Sequence, residues 1–175
     1  ENSEMTVFSN MDGEKEKRFD AIASEWKHNV PDFNTLAVKF ICGPNPKITS
    51  KCAVLDDSDF INDGNITKKE VRAITISKLM PMRRALLWDI GLGCGSVSIE
   101  WIRSGYDCKA IGIEPKKERL EMALKNANTL GAPRLEIVNG SAPEALENLS
   151  RPDAIFIGGG FSLQTFDICW QKLKP

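Results

Sequence analysis

Asp89, Gly91, Gly93 and Gly95 fall within seven residues in the run Leu87-Trp88-Asp89-Ile90-Gly91-Leu92-Gly93-Cys94-Gly95. Glycines so spaced let a chain turn sharply and let a ligand lie against bare backbone. The aspartate ahead of them adds an acceptor for a cationic group. A dinucleotide turn reads Gly-x-Gly-x-x-Gly and seats a pyrophosphate on a helix amino terminus. Here the spacing is Gly-x-Gly-x-Gly, and Ser96 stands where the last glycine of that pattern would fall. Two ligands stay open at this point: a dinucleotide, and S-adenosylmethionine, which carries an ammonium and a sulfonium but no phosphate.

Glu114 follows Gly95 by 19 residues, just past the next apolar run. A carboxylate there can accept both hydroxyls of an adenosyl ribose; a glutamate opening a helix, favoured by the macrodipole, is the plainer reading. Asn139-Gly140-Ser141-Ala142-Pro143 is a further turn suited to an adenine edge, or an ordinary loop. Gly158-Gly159-Gly160 leaves space beside a sulfonium for a bulky substrate, or is simply flexible. No catalytic residue can be named. Glu70 fits a helix cap better than a charge-steadying role, and His28, the one histidine, fits a structural or solvated role.

The elements that must hold these residues alternate in type. Leu86 to Ile90, Ala110 to Ile113, Leu135 to Val138 and Ala154 to Ile157 are apolar strand runs. Between them the spacing predicts helices over Ser96 to Ser104, stopped by Gly105, and over Lys116 to Leu130. The second carries Leu120, Ala123, Leu124, Ala127 and Leu130 on one stripe, with Gly131 as its stop. A short helix is predicted over Pro143 to Leu149, and Ser162 caps a last helix whose apolar face is Leu163, Phe166, Trp170 and Leu173. Such alternation means a parallel sheet with right-handed crossovers. Before it, Thr67-Lys68-Lys69-Glu70 fits a capping box for a helix with Val71, Ile74 and Leu79 as its apolar face, ended by Pro81. Residues 43–66 read as a linker, opening on the Gly43-Pro44-Asn45-Pro46 turn. Residues 1–42 read as strand (Met5 to Phe8), helix (Lys15 to His28) and buried strand (Thr35 to Ile41).

Charge is nearly balanced, at a formal net of −1 over 175 residues, with no basic stripe for nucleic acid or an anionic membrane. No apolar run reaches the ~20 residues of a membrane span, and no signal peptide is visible. Five cysteines without a Cys-x-x-Cys pair argue for reduced thiols in a cytoplasmic enzyme and against a metal site. The first residue is not methionine and the last helix ends at Pro175, so both ends read as cuts.

Together, Asp89 to Gly95, Glu114-Pro115-Lys116-Lys117-Glu118-Arg119 and Gly140-Ser141-Ala142 resemble the Rossmann-like S-adenosylmethionine-dependent methyltransferases. Asp63-Gly64-Asn65-Ile66-Thr67-Lys68-Lys69-Glu70-Val71-Arg72-Ala73, Gly140 to Leu146 and Pro152 to Gly160 narrow the resemblance to corrin-ring methyltransferases of cobalamin biosynthesis. Residues 4–62 more loosely resemble the tail of a tetrapyrrole-methylase domain, with which bacterial members are often fused. The resemblance implies an α/β fold whose first four sheet strands run 3-2-1-4. It divides the chain into a remnant plus linker over 1–55 and the front of the methyltransferase domain over 56–175. It implies S-adenosylmethionine as cofactor, a small tetrapyrrole (a reduced precorrin) as substrate, methylation at a meso carbon and loss of an acetate carboxyl as carbon dioxide. By position the family's cofactor contacts fall on Thr67, Gly91, Leu92, Gly93, Cys94, Gly95, Glu114 and Ala142. Ser141 stands where an aspartate is more usual, which moves the expected adenine contact toward a backbone group. Neither a nucleic-acid nor a membrane partner is expected, and a homo-oligomer stays open. The rival functions are methylation of another substrate, RNA or small molecule, on the same fold, and a non-catalytic nucleotide-binding module.

Overall fold

The chain has two units of different character. The structure, a computed structural model, describes residues 3–39 and 54–175, and the chain divides into the units Glu1–Ile48 and Thr49–Pro175. Phe40, Ile41, Cys42, Cys52 and the 43–46 turn lie outside the described residues.

In the first unit, β1 (Glu4–Ser9) pairs antiparallel with both β2 (Lys17–Ile22) and β3 (Asn34–Lys39). The helix expected over Lys15 to His28 is therefore a strand followed by a single 3-10 turn, Ala23–Glu25. Turn chemistry outweighs helical spacing here. Asn10 and Asp12 adopt left-handed φ angles of 51° and 61°, and Gly13 N donates to Asn10 O at 3.2 Å. That turn folds 17–22 back onto β1, where Thr6 Oγ1 donates to Asp20 across the strands at 2.5 Å. The strand expected to be buried, β3, is almost entirely exposed; in this sheet only Val7 and Ser9 are buried.

The second unit carries a four-stranded parallel sheet in the order β6-β5-β4-β7, the 3-2-1-4 arrangement expected. Its strands are β4 (Leu86–Ile90), β5 (Lys109–Glu114), β6 (Leu135–Asn139) and β7 (Ala154–Ile157). Side chains alternate along each strand, so one sheet makes two cores. Leu87 and Ala110 point to the face covered by α1 (Lys69–Leu79), α2 (Ser96–Ser104) and α3 (Lys117–Thr129). Trp88, Ile90, Ile111 and Ile113 point to the other, with Leu146 from the 3-10 turn Glu144–Leu146 and Cys169 from α4 (Leu163–Lys172). That turn replaces the longer helix expected over 143–149. Trp88 and Trp101 are both buried, their indole N–H groups donating to Ser150 O and Lys109 O.

Two helices face differently from their apolar patterns. On α1, Val71 and Ile74 are exposed, whereas Arg72 and Ile76 are buried. Lys68 caps this helix without a side-chain bond, so the expected Thr67–Glu70 capping box does not form. Thr67 O instead accepts from Arg72 Nη1 at 2.5 Å. On α4, Ser162 caps as expected, accepting from Thr165 N at 3.0 Å. Yet Leu163, Phe166 and Trp170 are exposed, and Thr165 and Cys169 face the core. Residues 54–66, expected as linker, belong structurally to this unit: Leu55 and Phe60 lie in its core.

Candidate functional site

The four parallel strands end on one side, and the turns that leave them frame a crevice. Two adjoining cavities of about 250 and 300 Å³ share Gly91, Arg119 and Gly158 as walls. The first is lined by Glu114, Ser141 and Ala142, the second by Thr67, Asp89, Leu92, Gly93 and Cys94. Nine of the ten residues singled out in the sequence thus meet in one place. Gly95 lines neither cavity; its φ of +82° makes the bend that starts α2. Leu92 contributes backbone only, because its side chain packs over Gly112, where any Cβ would collide with it.

Backbone geometry explains the glycines. At Gly91 (φ +80°) a Cβ would stand 2.6 Å from Gly159 N, so the turn after β4 and the loop after β7 touch as bare backbone. At Gly93 (φ +57°) a Cβ would meet nothing closer than 4.0 Å, so this residue faces open space in the crevice. The two carboxylates sit on neighbouring strands. Glu114, 3% exposed, accepts from Gly93 N at 3.0 Å and Lys116 N at 3.2 Å, one bond to each oxygen. A carboxylate has about four acceptor positions, so capacity for two hydroxyl donors remains. Asp89 Oδ2 accepts from Ser98 N at 3.1 Å and Ser98 Oγ at 2.7 Å. Its carboxyl is pushed up to about 7, chiefly by burial, with the Ser98 bonds lowering it and the nearby Glu114 charge adding to the rise. A buried acid so raised lacks a cationic partner, and a ligand ammonium would supply one. Burial likewise pushes the Cys94 thiol up, leaving it a poor nucleophile.

Asn65, Ile66 and Thr67 on the opposite wall end a strap, residues 54–67, pinned by side chains that sequence reasoning passed over. Arg72, 0% exposed, donates to Asp57 at 2.9 Å and Leu55 O at 2.5 Å as well as to Thr67 O, and lies over the Phe60 ring. Glu100 on α2 is buried beside it, 3.6 Å from Arg72 Nε, and accepts from Leu55 N at 2.6 Å. Asn126 on α3 bonds both backbone groups of Ile61 and donates to Cys94 O at 2.9 Å, welding the strap to the glycine turn. Asn126 could have been found: it is the polar member beside Ala123 and Ala127 on an otherwise apolar stripe. Arg72 gave no such signal, since one arginine within a helix reads as solvated. Among the described residues no group of three or more His, Cys, Asp or Glu could hold a metal ion. No helix there is long and apolar enough to cross a membrane.

A parallel sheet in this order with a glycine turn after its first strand and an acid after its second defines the Rossmann-like methyltransferase fold. A methyltransferase of Thiobacillus denitrificans, solved with S-adenosylhomocysteine, shares it at TM-score 0.53 and 24% identity over 61% of this chain and 44% of its own. The chain belongs to the precorrin methyltransferase domain family, whose model matches residues 58–175. It is 42% identical to a precorrin-6Y C(5,15)-methyltransferase (decarboxylating) of Sinorhizobium over 91% of this chain and 39% of that protein. The Mycobacterium tuberculosis protein of the same name is 32% identical over 90% and 40%. The solved carboxy-terminal domain of the Rhodobacter capsulatus enzyme of this name matches at TM-score 0.68 and 47% identity, covering 73% of this chain and 68% of its own. The chain thus spans about two-fifths of the curated relatives it matches.

Proposed function

We propose that this chain binds S-adenosylmethionine in the strand-end crevice and serves the methylation of a precorrin meso carbon, with loss of an acetate carboxyl as carbon dioxide, in cobalamin biosynthesis. The observation that carries the reading is the pair of buried acids on adjacent strand ends. Glu114 lines one cavity with capacity for ribose hydroxyls, and Asp89 lines the other with a carboxyl in want of a cation. Thr67, Gly91, Leu92, Gly93, Cys94, Ser141 and Ala142 complete the walls, mostly through backbone, and Gly95 sets the bend behind them. Residues 1–55 would be the tail of a tetrapyrrole-methylase domain.

The bound cofactor supplies an electrophilic methyl group. The chain's own part is positional: orienting the ligand through Asp89 and Glu114, and leaving the Gly158 to Gly160 side open for a large planar substrate. In the transfer a macrocycle carbon forms a bond to the methyl, and the breaking carbon–sulfur pair stays on sulfur. In the decarboxylation the acetate carbon–carbon bond breaks, its electrons pass into the macrocycle, and carbon dioxide leaves. No residue here is required as a covalent participant.

Calorimetry of the full-length protein with S-adenosylhomocysteine and, separately, NAD tests the ligand. Binding of the first alone is expected; NAD binding in its place would favour the dinucleotide reading. Methyl transfer and carbon dioxide release from a reduced precorrin test the reaction.

A further inference from the structure

Arg119, in the first turn of α3, lines both cavities of the crevice. Its Nε and Nη2 each lie 2.8 Å from Oδ2 of Asp63 on the strap. Asp63 Oδ1 in turn accepts from Asn65 N at 3.1 Å, and Asn65 O is among the atoms nearest the open face of Gly93. The strap is fixed elsewhere by part-buried bonds, at Ile61 through Asn126 and at Thr67 through Arg72. Between those anchors, among the described residues, Asp63–Arg119 is the one hydrogen-bonded link from residues 62–66 to α3. Asn65, Ile66 and Thr67 line the cavity that also holds Asp89.

We propose that Asp63 and Arg119 are positioning residues that latch the strap over the crevice and set how long the cofactor stays bound. The proposal rests on the cofactor site argued above. Both side chains keep solvent contact, 31% and 22% exposed, and such pairs add little to folding. Strap position is a different matter, because Asn65, Ile66 and Thr67 of the strap line the same cavity as Arg119. The planar guanidinium suits this duty. It places two N–H groups on one carboxylate oxygen, which a lysine ammonium cannot do in the same geometry.

S-adenosylhomocysteine is the appropriate probe, since it lacks the sulfonium charge that an unpaired Arg119 would repel. Its dissociation rate is to be measured by displacement in the full-length protein and in Asp63→Asn, Arg119→Gln, Arg119→Lys and the double Asp63→Asn/Arg119→Gln variant. Each neutral single variant should release the ligand about tenfold faster, with an unfolding midpoint close to wild type. The double should release it no faster than the worse single, because the second change removes a link already broken. Arg119→Lys should fall between wild type and Arg119→Gln. Release within twofold of wild type in both neutral singles, or losses that add in the double, overturns the latch. A wild-type protein that does not bind S-adenosylhomocysteine overturns the cofactor site and the latch with it; a wild type that binds beside unchanged variants overturns the latch alone.

Discussion

The two walls of the crevice are built on different principles. The strand-end wall is set by the sheet ladder: Gly91 N and Leu92 N both donate to Ile113 O, and Gly158 N to Ile90 O. It cannot shift without unpairing strands. The strap wall has no ladder. Side chains on helices, Arg72, Glu100, Asn126 and Arg119 among them, hold it, so it can be loosened one link at a time. A crevice with one rigid wall and one pinned wall can be precise at a ligand's polar groups and still open.

The largest effect expected from breaking this arrangement falls on the strap's inner anchor. Arg72→Leu removes the nearer of the two cations beside buried Glu100, leaving only Arg103 at 4.0 Å, and strips partners from Leu55 O and Thr67 O, at a cost of about 3–5 kcal/mol. Denaturant unfolding measures it, and adding Glu100→Gln should recover part of the loss. If both variants are as stable as wild type, the strap is not pinned from beneath.

On the rigid wall, Glu114→Ala should weaken S-adenosylhomocysteine binding by roughly 1.5–3 kcal/mol with little change in strap position. Calorimetry showing unchanged affinity would remove Glu114 from the ribose contact. Asp89 makes a pH-dependent version of the same test. Its carboxyl rises from an ordinary 3.8 to about 7 on folding. The folded state therefore favours the neutral form. This contribution to stability is complete below pH ~4, declines as pH rises, and is gone above about 7. A ligand ammonium reverses the preference, so binding should release a proton, and affinity should fall by up to about tenfold per unit as pH drops below 7. Titrations in buffers of different protonation heat would show the released proton; flat affinity across this window would sink the ammonium assignment. The smallest effect is expected at the face of α1 that the sequence pattern marked as core. Val71→Gln should change stability by only about 0.5 kcal/mol, since Val71 is exposed.

How far the sequence could be read followed the same division. The bounds 86–90, 96–104 and 154–157 agree with β4, α2 and β7, because strict apolar runs broken by glycine leave one arrangement open. The glycine turn and Glu114 were legible for a related reason: a ligand-facing turn needs residue types that little else explains. The strap was not legible. Its anchors are single polar residues whose partners lie 5 to 65 positions away, at Thr67 for Arg72 and Ile61 for Asn126, and no local period encodes such pairs. Apolar spacing misled on α1 and α4 because a buried guanidinium displaced Val71 and Ile74 on the first, and Thr165 and Cys169 took the inner face of the second. In the first unit the Asn10 to Gly13 turn decided between helix and strand.

The tryptophans give the second unit a built-in optical readout. Trp88 adjoins Asp89 on the central strand and Trp101 lies in the opposite core, both shielded, whereas Trp170 stands 71% exposed on α4 with its ring stacked on Phe166. The shielded pair should emit at short wavelength and resist quenching by iodide until the sheet melts, while Trp170 emits in the red and quenches at once. With the partly exposed Trp26 of the first unit replaced by phenylalanine, a blue shift confined to the quenchable component would report whatever comes to cover α4.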